Sequence, residues 1–254
     1  MSAFFVFIFY SFVFSYPVFS ASLQEDCPSF HSQQRVSIAF VIDGDTVQLT
    51  DKRRVRLVGM NTPELKEGSA LSRRFAQQAK EALQNWIEQR RSLYLSQDQS
   101  SRDHYGRQLS YLHDGKGNDA GAFLLSQGLA YAVAIAPDLQ RVECYFSLEK
   151  QARAARLGIW MESPIKALDR ERFFEGGFGV YRGEVSAILK FKRSFALVLN
   201  ERLVVMVKLS ESAPYALGDK VVVRGWLRQK KFVYKKQSYG YQMLLNSTHN
   251  IEKI

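Results

Sequence analysis

The sequence predicts a mainly β fold with helices: an OB-like five-stranded barrel carrying three helices, followed by a second small β-barrel. Three observations lead there. Residues 36–58 hold short apolar runs with period-two alternation, parted by turn residues. Helix-period apolar spacing is confined to three stretches between residues 71 and 156. From Val180 the chain returns to closely spaced strand-like runs.

The elements follow in order. Val36, Ile38 and Phe40 alternate with smaller residues, and Val41-Ile42 leads into Asp43-Gly44, a strong hairpin signal. Thr46–Leu49 and Val55–Val58 complete an antiparallel meander. Asn61-Thr62-Pro63-Glu64 breaks the pattern. A helix over about 71–89 places Phe75, Ala79, Ala82, Leu83, Trp86 and Ile87 on one face. Two short strands, Leu93–Leu95 and Leu109–Leu112, flank a polar loop that contains Asp103-His104-Tyr105-Gly106-Arg107. Helices over about 119–127 and 142–156 stop at Gly128 and Gly158. Pro164 and Gly176-Gly177-Phe178-Gly179 mark a linker over 162–179. Five strand-like runs then fill 180–254: Val180–Leu189, Ser194–Leu199, Leu203–Leu209, Lys220–Leu227 and Gly240–Leu245. Domain 35–161 and domain 180–254 are thus two small barrels.

Hydrophobic residues make up 46% of the chain, which excludes a disordered protein. The net charge of +10 favours a polyanionic partner. Its distribution is uneven. Residues 1–169 hold 19 Lys and Arg against 18 Asp and Glu, whereas 170–254 hold 16 against 7. Residues 1–22 carry no charged side chain and end in Ser20-Ala21-Ser22, the pattern of a signal peptide, with an uncleaved membrane anchor as the alternative. Either reading places the rest of the chain outside the cytoplasm, secreted or periplasmic. There the two cysteines, Cys27 and Cys144, can form a disulfide; otherwise they are two unrelated buried thiols. Two cysteines without a neighbouring histidine do not make a zinc site.

The chemistry concentrates in Asp43, Asp45, Arg56, Asn61, Thr62, Glu64 and Arg107. Phosphodiester hydrolysis needs a metal on the phosphoryl oxygens, a group acting on water, and cations for the developing charge. Asp45 and the 61–62 turn offer oxygen ligands to a hard cation. Glu64 can act on water. Arg56 and Arg107 can grip phosphate through planar forks.

Val41-Ile42-Asp43-Gly44-Asp45-Thr46-Val47, Val55–Glu64, Asp103–Arg107 and Leu157-Gly158-Ile159-Trp160 resemble, in order, the signature blocks of the staphylococcal nuclease family over about 35–161. The resemblance implies a Ca²⁺-dependent nuclease that hydrolyses DNA and RNA and leaves 3′-phosphate ends. It implies Asp45, Asn61 and the Thr62 carbonyl as Ca²⁺ ligands, and Glu64 as the general base or water-orienting carboxylate. Arg56 and Arg107 would bind the reacting phosphate, with Tyr105 beside it. Two departures stand out. Asn61 replaces an aspartate, so the site has one negative charge fewer. The segment Ala130–Ala136 lacks the family's pair of base-packing tyrosines.

In the second barrel, Val221–Leu227 resembles a strand of OB-type accessory domains found beside some nucleases of this family. Lys230, Lys231, Lys235 and Lys236 interleave with Phe232, Tyr234, Tyr239 and Tyr241. Cations beside stacking faces suit single-stranded nucleic acid, and an edge hairpin kept soluble by lysine gives the same pattern. No obligate protein partner or small-molecule cofactor is evident. The competing functional readings are a catalytically weak nucleic-acid-binding module of the same fold and an envelope-anchored polyanion-binding protein. The presence of Arg56, Glu64 and Arg107 together favours the enzyme.

Overall fold

The computed structural model describes residues 27–30, 33–65, 69–169, 175–208 and 214–254; the leader sequence lies outside them. The first barrel begins with β1 (Gln34–Val36) and β2 (Ile38–Asp43), one bent run parted at Ser37. Then come β3 (Thr46–Leu49), β4 (Arg54–Leu57), the short β5 (Met60–Asn61), α1 (Ala70–Glu88), β6 (Leu93–Ser96) and β7 (Gln108–His113). The sheet order is β1-β6-β7-β4-β3-β2, with β4 parallel to β7. Because β1 and β2 are one run, its two halves pair with opposite edges and close the barrel. This removes the exposed edges an open sheet would leave.

Alternation decides what each strand buries. Val55 and Leu57 of β4 point into the core while Arg54 and Arg56 point outward. Ser69 caps α1 by accepting from the Ser72 amide at 3.1 Å. The helix buries Phe75, Ala76, Ala79, Leu83 and Trp86. Burial of a side chain such as Leu83 stabilises by about 1.5–3 kcal/mol.

α2 (Ala120–Ser126), β8 (Tyr131–Ala132) and α3 (Val142–Ala154) follow. Gly128 ends the α2 turn at φ +67°, and a Cβ there would strike the Leu157 carbonyl. The close approach lets the Ile159 amide donate to the Gly128 carbonyl at 2.9 Å. Cys27 and Cys144 are disulfide-bonded, with Cα atoms 5.1 Å apart, and hold the N-terminal arm on α3. Phe30 of that arm stacks on His113, centroids 3.9 Å apart.

The segment expected to be a linker over 162–179 is partly sheet. β9 (Ile165–Ala167) pairs in parallel with β10, which already starts at Gly177 (Gly177–Phe191). Backbone pairing with a closed barrel outweighs the local Gly and Pro signals. The second barrel continues with β11 (Ser194–Leu199), β12 (Leu203–Lys208), β13 (Lys220–Arg228), β14 (Phe232–Tyr234), β15 (Gln237–Tyr239), β16 (Tyr241–Leu245) and β17 (Ile251–Lys253). β10 pairs with both β11 and β13, closing the ring β10-β11-β12-β16-β13. Here too the third and fifth strands, β12 and β16, run parallel. The two barrels therefore share one topology. No helix among the described residues is long and apolar enough to cross a membrane.

The barrels are joined through buried polar contacts. Arg224 of β13 donates to both carboxylate oxygens of Glu149 on α3, at 2.6 and 2.5 Å, and both residues are buried. Asn250 accepts from the Ala134 amide at 3.0 Å and donates to its carbonyl at 2.7 Å. Asn246 does the same to Ala136, at 3.3 and 2.9 Å.

Candidate active site

The turn between β2 and β3 sets the first group of side chains. A Cβ on Gly44 would meet both Ala79 of α1 and the Thr62 side chain. Glycine therefore lets the turn settle against helix and loop, which buries Asp45. Asp45 Oδ1 accepts from Thr46 Oγ1 at 2.8 Å, and Oδ2 accepts from the amide and hydroxyl of Thr62 at 3.3 and 3.2 Å. Arg56 Nη1 lies 2.9 Å from Asp45 Oδ2, and Arg56 Nη2 donates to Asn61 Oδ1 at 2.8 Å. Asn61 Nδ2 in turn donates to the Thr62 carbonyl at 3.1 Å. Asp45, Arg56, Asn61 and Thr62 thus form one hydrogen-bonded unit. Next to it, burial pushes the Asp43 carboxyl above its ordinary range, against the pull of the Gly44 amide.

The donor set suits a hard cation in kind: the Asp45 carboxylate, the Thr62 carbonyl and the Asn61 amide oxygen. The arrangement also shows what the amide changes. A guanidinium only donates, so Arg56 holds the Asn61 oxygen toward itself and the amino group faces the Thr62 carbonyl. Joint coordination by Asn61 Oδ1 and Thr62 O requires that amide to turn over.

Glu64 is exposed and lines a cleft of about 690 Å³ together with Asn61 and Thr62. Arg107 and Tyr105 lie elsewhere on the same side of the sheet. They line a second cleft, of about 670 Å³, with Lys52, Arg53, Arg54 and Arg102. β4 contributes to both regions: its Arg54 lines the second cleft and its Arg56 belongs to the Asp45 unit. Side chains two apart on a strand share a face about 7 Å apart. Asp103 organises this loop: Oδ1 accepts from the amides of Tyr105 and Arg107 at 3.0 and 2.9 Å, and Oδ2 accepts from Arg107 Nε at 2.7 Å. Burial raises the Asp103 carboxyl, but the Arg107 bonds outweigh it and leave the group below its ordinary range. Tyr105 is 73% exposed, with the Arg107 guanidinium 5.4 Å from its ring centroid.

Residues 54–162 match the staphylococcal nuclease homologue family. The match starts within β4, after Asp45, and ends before β9. The thermonuclease of Staphylococcus hyicus is 28% identical over 133 residues, 51% of this chain and 77% of that protein. The thermonuclease of Staphylococcus intermedius is 31% identical over 124 residues, 47% of this chain and 72% of that protein. The chain belongs to the staphylococcal nuclease family. Another relative, the endonuclease YncB of Bacillus subtilis strain 168, is 30% identical over 134 residues, 50% of this chain and 62% of that protein.

Against that family frame, Lys230 and Lys231 stand apart: both are exposed beside the β14–β15 hairpin of the second barrel. Of the aromatics expected as stacking faces there, Tyr239 is buried and Phe232, Tyr234 and Tyr241 are half-buried. Phe232, Tyr234 and Tyr239 cover the outer face of β11 and β12, against Ala196, Val198 and Val204. The outer surface of the family barrel shows features no local motif announced. Tyr131 pairs with Asn61 across β5 and β8, and its ring lies 5.2 Å from Phe178 of the second barrel. Lys166 and Phe178 line the Glu64 cleft.

Proposed function

We propose that this protein is a Ca²⁺-dependent nuclease, acting outside the cytoplasm, that hydrolyses phosphodiester bonds of DNA and RNA and leaves 3′-phosphate ends. The observation that carries it is the buried Asp45–Arg56–Asn61–Thr62 unit beside Glu64, in a chain of the staphylococcal nuclease family. The relatives, two thermonucleases and an endonuclease, point the same way.

Asp45, the Thr62 carbonyl and Asn61 would hold the ion, which when bound supplies positive charge to the phosphoryl oxygens. Glu64 orients or deprotonates the attacking water from the cleft wall. Arg56 sits in the same unit and presents its fork to the phosphate as the Asn61 contact opens. Arg107, aimed by Asp103, supports the charge that develops on the far side. The lysines at 230, 231, 235 and 236 add sequence-independent attraction for the strand, with single strands favoured.

A zymogram on DNA and on RNA, with Ca²⁺, Mg²⁺ or EGTA, tests the reading. Clearing of both substrates is expected with Ca²⁺ and none in EGTA. Glu64→Ala, Arg56→Ala and Arg107→Ala, each checked for folding by circular dichroism, should lower kcat by roughly 10²-fold or more. Full activity in EGTA would remove the metal assignment, and a folded Arg107→Ala protein with normal kcat would remove that residue's role.

A further inference from the structure

The cleft beside Glu64 is built by both barrels. The first barrel supplies Asn61, Thr62 and Glu64; the second supplies Lys166 of β9 and Phe178 of β10. Its volume, about 690 Å³, lies in the range of small-ligand pockets. Leu71, Phe75, Ile159 and Val180 add apolar lining.

The charge in this cleft is the reverse of the neighbouring one. Among the described residues, three carboxylates, Glu64, Glu162 and Glu175, line it beside one cation, Lys166. The cleft around Arg107 instead gathers Lys52, Arg53, Arg54 and Arg102. Phosphates are drawn to the second, and beyond the phosphate held at the Asp45 unit, Glu162 and Glu175 disfavour further phosphate groups in the first. What fits the first is the uncharged, planar part of a nucleotide.

Two of the lining residues, Tyr131 and Phe178, belong to an aromatic row that continues beyond the cleft. Trp160, Tyr131, Phe178 and Trp226 follow one another with ring centroids 5.4, 5.2 and 5.1 Å apart. Its second member, Tyr131, is paired with Asn61 across β5 and β8. Phe178 is half-buried and sits between Gly177 and Gly179; a Cβ on Gly177 would meet open space.

We infer that this inter-barrel cleft is a nucleobase subsite, in which Phe178 stacks on the base of a nucleotide flanking the scissile phosphate. The inference rests on the nuclease reading above and assigns the second barrel a direct part in substrate binding. Ala134 and Ala136, in the segment that lacks the tyrosine pair, are instead held by Asn250 and Asn246, so the base-stacking surface moves to the β10 side.

The test uses the full chain and a thymidine trinucleotide, with versions carrying one tetrahydrofuran abasic residue on either side of the scissile phosphate. KM is measured with Ca²⁺, and Kd by tryptophan fluorescence with chelator, where no turnover occurs. Removing the base on one side should raise KM and Kd of the wild-type protein by about tenfold, the scale of one base–aromatic stack. Phe178→Leu, which keeps apolar bulk, should abolish that discrimination, and Phe178→Tyr should keep it. Equal discrimination by the wild-type and Phe178→Leu proteins would overturn the subsite while hydrolysis left the nuclease reading intact. If no substrate were cleaved, the nuclease reading would fall, and the chelator arm would still decide the subsite. Base-dependent binding erased by Phe178→Leu upholds it; base-independent binding overturns it.

Discussion

At the residue scale, the amide at position 61 separates this site from one with a carboxylate there. Asn61 spends its oxygen on Arg56 and its amino group on the Thr62 carbonyl. Asn61→Asp replaces the donor facing that carbonyl with an anionic oxygen and adds one negative charge. Calorimetric titration with Ca²⁺ should then show tighter binding, by roughly tenfold or more for one added carboxylate ligand in a hard-cation site. An unchanged Kd would mean position 61 is not a ligand. His113 is a second residue-scale case. Its Nδ1 accepts from the Gly115 amide at 3.2 Å, which leaves Nε2–H to donate to Ser96 Oγ at 2.8 Å. Burial pushes its pKa down from 6.5 to about 4. The unfolded chain takes up this proton first as pH falls. The contribution of neutral His113 is thus fully present above about pH 6.5 and is lost as pH falls toward 4, on the order of 3 kcal/mol in all. Urea unfolding across that window should show the slope, and His113→Asn, which cannot titrate, should flatten it.

At the element scale, the β14–β15 hairpin turns on Lys235 and Lys236, both at positive φ, 45° and 70°. A two-residue turn of this hand favours Asn-Gly, and a bulky residue there is strained. The lysines sit in the position least suited to them locally, which is what retention for charge would look like. Joint replacement Lys235→Asn with Lys236→Gly should raise Tm while weakening single-strand binding. Each lost phosphate contact should also reduce the salt slope by about 0.7 log units per decade. A more stable protein with an unchanged salt slope would assign the lysines to solubility alone. Tyr239 is buried and Phe232 and Tyr234 are half-buried against β11 and β12, which limits the ring area the hairpin can offer a base.

At the scale of the molecule, the Arg224–Glu149 pair makes the two barrels one structure. Glu149 also accepts from the Ala132 amide at 2.7 Å, so the pair holds the strand that carries Tyr131. Arg224→Met strands a buried carboxylate and should cost about 3–5 kcal/mol in denaturant unfolding. Adding Glu149→Gln keeps an acceptor for Ala132 and removes the orphaned charge, so the double variant should recover most of the loss. A small effect of the single variant would show that the barrels are held by other contacts. Cutting away the second barrel would therefore remove more than its charge: it would strip Asn250 and Asn246 from the 134–136 segment and one wall from the Glu64 cleft.

Much of the molecule was legible in sequence because its signals are local. Period-two alternation marks β2–β4, helical spacing marks α1, and Gly128 and Gly158 mark the stops. Asp45, Asn61, Thr62 and Glu64 were found through short motifs in one family, and the geometry ties Asp45, Arg56, Asn61 and Thr62 together. What no local pattern carried are partners far apart in the chain. β9 lies in a stretch that reads as linker, because a parallel pair with β10 depends on a strand some fifteen residues away rather than on its own alternation. Arg224 reads only as one residue of a strand, and its partner Glu149 on α3 lies 75 positions earlier. Phe178 reads as part of a glycine-rich loop until barrel closure sets it beside Tyr131. Local sequence determined the elements and the chemical groups. Only tertiary packing, by excluding water between the two barrels, decided which charges had to pair and which aromatic ring faces the cleft beside Glu64.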